Sequence, residues 1–113
     1  MKALSQPSVP DSDRKLRADF TRVMYATYEE AKEGGYYPFR FLAMLRRRGG
    51  VGAAQKLLND RYVSDGFLRL EADGRLKISV EAIVLQARFA PLFTQQQLTT
   101  AHLRLVSNAD RRP

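Results

Sequence analysis

Residues 64–80, Ser-Asp-Gly-Phe-Leu-Arg-Leu-Glu-Ala-Asp-Gly-Arg-Leu-Lys-Ile-Ser-Val, decide the fold class, because they can be read with two different periods. Leu68, Leu70 and Ala72 alternate with polar residues before Asp73-Gly74, and Leu76, Ile78 and Val80 alternate after it. That pattern is a β-hairpin signal. The competing pattern starts a helix at Ser64 and stops it at Gly74, with Val63 and Leu68 as a hydrophobic staple. The helical reading is preferred, and with it an all-α fold. The hairpin around Asp73-Gly74 stays open as the alternative, and would place Arg69, Arg75 and Lys77 on the wing of a winged helix.

The flanking sequence speaks for helices. Leu16, Phe20, Val23, Met24, Thr27 and Ala31 fall on one stripe at 100° per residue, and Gly34-Gly35 supplies a C-terminal stop. Pro38 suits the first turn of a helix to about Arg48, with Phe39, Leu42 and Leu45 as its main apolar face and Phe41 and Met44 widening it. Gly49-Gly50 ends it, and Val51–Asn59 reads as a short helix with Ala54, Leu57 and Leu58 inward. Downstream, Ser79 caps a helix expected to run to about Phe89, apolar nearly all round and therefore central. Thr94 and Gln97 form a capping box for the last helix, whose inner face is read as Leu98, Ala101, His102 and Leu105. The expectation is a bundle of five or six short helices. Residues 1–12 read as a mobile tail, 13–107 as one helical domain, and 108–113 as a frayed end.

The chain has 113 residues and a formal net charge of +7, with 19 Lys+Arg against 12 Asp+Glu. The excess lies between residues 40 and 77, where nine basic side chains face four acidic ones. Such a surface attracts polyanions or acidic protein faces. There is no cysteine, so disulfide frameworks, cysteine-based zinc sites and thiol nucleophiles are excluded. No apolar run approaches the roughly 18 residues of a membrane span, and no signal-peptide core stands at the N-terminus. A cytoplasmic protein with no membrane partner is expected.

Catalytic chemistry finds little to work with. His102 is the one histidine; on an apolar helix face, a buried or half-buried structural role is the commoner reading. No Ser, Lys or carboxylate sits in a nucleophile–base motif, and metal-ligand spacing is absent. Glu81, in the first turn after Ser79, is accounted for by the helix dipole. No catalytic residue, cofactor or metal is expected. Gly49-Gly50-Val51-Gly52 lacks the Gly-Lys-Ser/Thr of a P-loop, although free N–H groups at that helix start could take a phosphate.

The binding features are richer. Three consecutive residues on a helix fan over about 200°, so Arg46, Arg47 and Arg48 cannot share one ligand. Projection puts Arg40 and Arg47 on a common outer face with Arg48 beside it, and turns Arg46 toward the apolar side. Lys56 and Arg61 follow on or beyond the next helix. Tyr36 and Tyr37 stand beside Arg40, placed to stack on a base or anchor a protein partner. Residues 39–59 also have the size of a helix-turn-helix, though only Gln55, Lys56 and Asn59 are available to read bases.

Four segments, GYYPFRFLAML (35–45), GGVGAAQKLL (49–58), DGFLRLEADGRLKISVEAIVL (65–85) and PLFTQQQL followed by Ala101 and Arg104-Leu105, resemble a group of short bacterial helical proteins. The resemblance covers about residues 25–105, implies a helical module, and carries no activity or functional residue with it. The reading is a small basic, non-enzymatic binding module. Its expected partner is nucleic acid, held by Arg40, Arg47, Arg48, Lys56 and Arg61 with Tyr36 and Tyr37. The alternative is a protein-interaction module or inhibitor, encoded by a phage or mobile element, that meets an acidic protein surface of a nucleic-acid-handling complex.

Overall fold

Ser64 accepts a hydrogen bond on Oγ from the Phe67 N–H at 3.1 Å, and the ambiguous stretch is a helix. In the computed structural model, which describes residues 11–113 (Asp11 by its backbone alone), it is the third of five α-helices. These are α1 (Asp11–Glu33), α2 (Phe39–Asn59), α3 (Asp65–Ala72), α4 (Val80–Val84) and α5 (Gln95–Val106). Two 3-10 turns, Leu76–Ile78 and Ala90–Leu92, flank α4. The first ten residues of the expected tail lie outside the described residues, and its last two open α1.

The hairpin around Asp73-Gly74 is therefore corrected. Gly74 adopts φ +71°, the left-handed conformation of a helix C-cap. Its N–H donates to Glu71 O at 3.1 Å, and that of Arg75 to Leu70 O at 2.8 Å. These are the two bonds of a Schellman motif. Phe67 and Leu70 are buried while Leu68 is 37% exposed, so the working period is three, not two. The same motif ends α1: Gly35, at φ +90°, donates to Lys32 O and Tyr36 to Ala31 O.

Helix α2 is broken within its span. Gly49 has φ +75° and ψ 174°, which divides it into arms 39–48 and 50–59, the two helices expected from the glycine pair. A Cβ on Gly50 would meet Thr21 Cα at 2.6 Å, so the bare glycine lets α1 and α2 cross closely. Its N–H donates to Thr21 Oγ1 at 3.0 Å. One of the donors read as available for a phosphate is thus spent inside the protein.

Phe20, Met24, Leu45, Val51, Leu58, Val80, Ile83, Val84 and Phe89 form the core. The Phe20 ring meets Phe89 and Phe93 edge-on, with centroids at 5.1 and 5.3 Å. Helix α4 is central but ends at Val84 rather than near Phe89. A continuous helix would turn Phe89 about 180° away from Val80. The chain instead unwinds through bonds such as Phe89 N–H to Gln86 O, 2.9 Å, and Phe89 returns to the core while Ala87 is left exposed.

Residues 108–113, expected to fray, are held. The Val63 N–H donates to Asp110 O at 2.9 Å, and Arg111 bonds Glu71 at 2.6 Å with its guanidinium 4.7 Å from the Phe67 centroid. On α5 the capping box forms as read, Gln97 N–H to Thr94 Oγ1 at 3.1 Å and Thr94 N–H to Gln97 Oε1 at 3.0 Å. Its buried residues are Gln97, Ala101 and Arg104, and Leu98 packs partly buried against the core. His102, one step round from Ala101, is exposed, which corrects its placement in the core.

Candidate functional site

The end of α1, both arms of α2 and the start of α3 surround a groove of about 680 Å³. It exists because two glycine turns fold these helices back on one another: Gly35 reverses the chain after α1, and Gly49 swings the second arm of α2 away from the first. Ile78, Ser79, Val80 and Glu81 contribute to its lining from the turn into α4.

Six of the seven residues singled out in the sequence line this one groove: Tyr36, Tyr37, Arg40, Arg47, Lys56 and Arg61. Arg40 and Arg47 share a face as their seven-residue spacing demands, and both are exposed. Arg48 does not line it. It is exposed, one helical turn before Gly52. Arg46, read as turned toward the apolar side, is exposed. The first arm buries only Leu45 fully, and its apolar face is too narrow to cover a neighbouring stem.

Phe39 also departs from expectation. It is 67% exposed and stacks on Tyr37, 54% exposed, with centroids 6.1 Å apart. Tyr36 is half-buried, with the Arg69 guanidinium 5.2 Å from its centroid. Burial pushes its phenol above the ordinary value; Asp65 adds to the rise and Arg69 opposes it. Arg69 also pairs with Asp73 at 2.9 Å. Arg75 donates to Glu30 O at 2.8 Å over the end of α1. Neither belongs to a wing.

The cations of the groove differ in how free they are. Among the described residues Arg40 and Arg47 make no ion pair, whereas Lys56 pairs with Asp60 one turn on. Tyr62, absent from the sequence-derived set, has the guanidiniums of Arg61 and Arg112 at 5.1 and 5.5 Å from its centroid. Arg112 lines the groove too. Nothing local signals its presence there; the docked C-terminal segment brings it.

Arg104 is the other residue that sequence reasoning passed over, and Glu81 the one it assigned to the helix dipole. Glu81 lines the groove yet is only 2% exposed, and Arg104 behind it is 0% exposed. Arg104 donates from Nη1 to Glu81 Oε2 (3.2 Å) and Leu57 O (3.0 Å). It also donates from Nη2 to Asp60 O (2.7 Å) and from Nε to Asp110 Oδ2 (2.8 Å). Burial pushes the Glu81 carboxyl above the usual carboxylate range, against the pull of its own backbone N–H and of Arg104 and Arg111. The helix dipole alone therefore does not account for Glu81.

Among the described residues no three His, Cys, Asp or Glu side chains gather as a metal site, and no helix is long and apolar enough to cross a membrane. What the groove offers is aromatic faces, a cationic rim and one deep carboxylate. No family model, no curated protein and no solved structure matches this chain.

Proposed function

We propose that this protein is a non-enzymatic module that binds single-stranded nucleic acid in the groove. The observation that carries the reading is the convergence of Arg40, Arg47, Lys56, Arg61 and Arg112 with Tyr36, Tyr37 and Tyr62 on one concavity. Unpaired bases stack on aromatic faces for about 1–3 kcal/mol each, while cations along the edge hold the phosphates. A duplex keeps its base faces stacked internally and cannot offer them to a recessed tyrosine, which favours single strands. Phosphates of a bound strand would meet Arg40 and Arg47 first, since among the described residues these have no ion pair to give up.

The test is fluorescence anisotropy with a labelled oligonucleotide of about 15 nucleotides, single-stranded and as a blunt duplex. Expected is single-strand binding that weakens with salt, with a log–log slope near −3.5 for five phosphate contacts at about −0.7 each. Duplex binding should be weaker. Absence of single-strand binding at about 50 mM salt overturns the reading.

The exposed stacked pair of Tyr37 and Phe39 favours a second reading. Aromatic anchors beside arginines are the residues that dominate protein interfaces. The groove would then receive an acidic surface of a nucleic-acid-handling complex. A partner protein captured from lysate and retained after nuclease treatment, with no oligonucleotide binding, supports that reading.

A further inference from the structure

Tyr37, Pro38 and Phe39 hold two rings side by side at the start of α2. Pro38 has φ −80° and ψ 76°, and the Phe39 N–H donates back to Tyr37 O at 2.9 Å. That is an inverse γ-turn, and the proline ring fixes its φ. The turn brings the side chains on either side of it together, and the rings stack with an interplanar angle of 29°. Of the described Phe and Tyr side chains, only these two are more than half exposed. One face of Phe39 is turned to Tyr37; a ring exposed to that degree keeps the other in water. Both residues line the groove. The remaining tyrosines of the groove are engaged already: Tyr36 holds the Arg69 guanidinium, and Tyr62 those of Arg61 and Arg112. A base that reaches either of them must share the ring with a cation, whereas a base on Phe39 displaces only water.

We propose that Phe39 is the principal stacking residue of the groove: an unpaired base of the bound strand lies on its open face, with Tyr37 as the second ring of the platform. The proposal rests on the single-strand reading above. The charge around the rings fits this occupant. Arg40 follows Phe39 directly, Arg47 lies two turns on along the same face, and neither makes an ion pair among the described residues. The first turn of α2 carries no acidic residue, so nothing there repels the phosphate next to a stacked base. Two rings are far less than the roughly 800 Å² that each partner of a standard protein interface buries, but they suffice for a base. Because the proline and the γ-turn fix the pair beforehand, little ordering cost is left to offset the gain on binding. Every base has a π-face, so the platform accepts an unpaired base of any identity.

The experiment is anisotropy with labelled oligo(dT) of about 15 nucleotides and with an abasic strand of the same length. Phe39→Ala should weaken oligo(dT) binding about 5- to 100-fold, the range for one stacked base. Phe39→Leu, which stays apolar but has no flat π-face, should weaken it by about fivefold or more. Neither should change the salt slope, because the ring carries no charge. The abasic strand should bind the wild type and Phe39→Ala alike. The chain has no tryptophan, so the tryptophan emission of Phe39→Trp reports on this position alone. Oligo(dT) should quench that emission, and the abasic strand at saturation should not. Phe39→Ala within about twofold of wild type on oligo(dT), Phe39→Leu as tight as wild type, an equal loss on the abasic strand, or emission unmoved by saturating oligo(dT) overturns the platform and leaves single-strand binding standing. Failure of the wild type to bind oligo(dT) removes both, and leaves the two rings to the protein-interface reading.

Discussion

Arg46, Arg47 and Arg48 close the first arm of α2 in solvent, whereas Arg104, isolated on α5, is the largest fully buried side chain among the described residues. The run makes no ion pair among those residues; Arg104 joins α5 to the end of α2, to α4 and to the C-terminal segment through four acceptors. Exposed arginines keep their hydration and contribute little to stability, which leaves them free for a ligand. A buried guanidinium has lost its water and must find every acceptor inside the protein. Asp110 accordingly sits at φ +62°, a left-handed conformation that Asp tolerates better than most residues, and from there its carboxylate reaches Arg104. The same side chain is a fixture in one place and an instrument in the other.

The largest expected effect falls on the fixture. Arg104→Ala strands Glu81 without its buried partner and should cost about 3–5 kcal/mol in urea unfolding. Arg47→Ala should stay within about 0.5 kcal/mol of wild type. Equal losses for the two would break the contrast.

Next comes the kink that separates the arginine run from Lys56. Gly50→Ala drives a Cβ against the Thr21 backbone and should cost about 1–3 kcal/mol, as overpacking does. Gly49→Ala meets open space and carries only the strain of a backbone conformation (φ +75°, ψ 174°) that is nearly exclusive to glycine, about 1–3 kcal/mol. A Gly50 variant as stable as wild type would mean that the α1–α2 crossing can relax.

The pH dependence sharpens what Arg104 does for Glu81. A carboxyl whose pKa is raised in the folded state binds its proton more tightly there than in the unfolded chain. Its contribution to stability is therefore present at low pH and lost as pH rises from the ordinary Glu value near 4.5 through the raised one. The unfolding free energy of wild type minus that of Glu81→Gln should fall across that window in parallel denaturation series. A difference that grows with pH would mean that attraction to Arg104 outweighs burial.

The smallest effects lie on the run itself. Arg47→Ala should reduce the single-strand salt slope by about 0.7, while Arg46→Ala and Arg48→Ala leave it unchanged. If Arg48 changes the slope as much as Arg47, the strand leaves the groove and tracks the outer surface of α2. His102→Gln, on the exposed side of α5, should alter stability by less than about 0.5 kcal/mol.

How legible the molecule is follows from the range of each interaction. The stops at Gly34-Gly35, Gly49 and Gly74 and the caps at Ser64, Ser79 and Thr94 can be read because each is satisfied within about five residues of backbone. The common face of Arg40 and Arg47 can be read for the same reason, since helix geometry alone relates them. The stretch 64–80 stays ambiguous because Leu68, Leu70 and Ala72 suit alternation as well as Phe67 and Leu70 suit a turn of helix. Residues 85–89 mislead because apolar residues spread nearly all round a helix do not record which side chain the neighbouring α1 has room for.

The sequence by itself determined a helical chain with marked ends, a basic middle, no thiol chemistry, and the arginine and tyrosine positions that meet in the groove. Tertiary structure alone decided that Phe39 and His102 lie outside, that Glu81 and Arg104 lie inside, and that Arg112 comes to rest on Tyr62. The division has a physical cause. A cap or a helical face depends on residues a few positions away, whereas desolvation sums over every neighbour in space. The atoms around Arg104 come from Leu57, Asp60, Glu81 and Asp110, which no local pattern brings together.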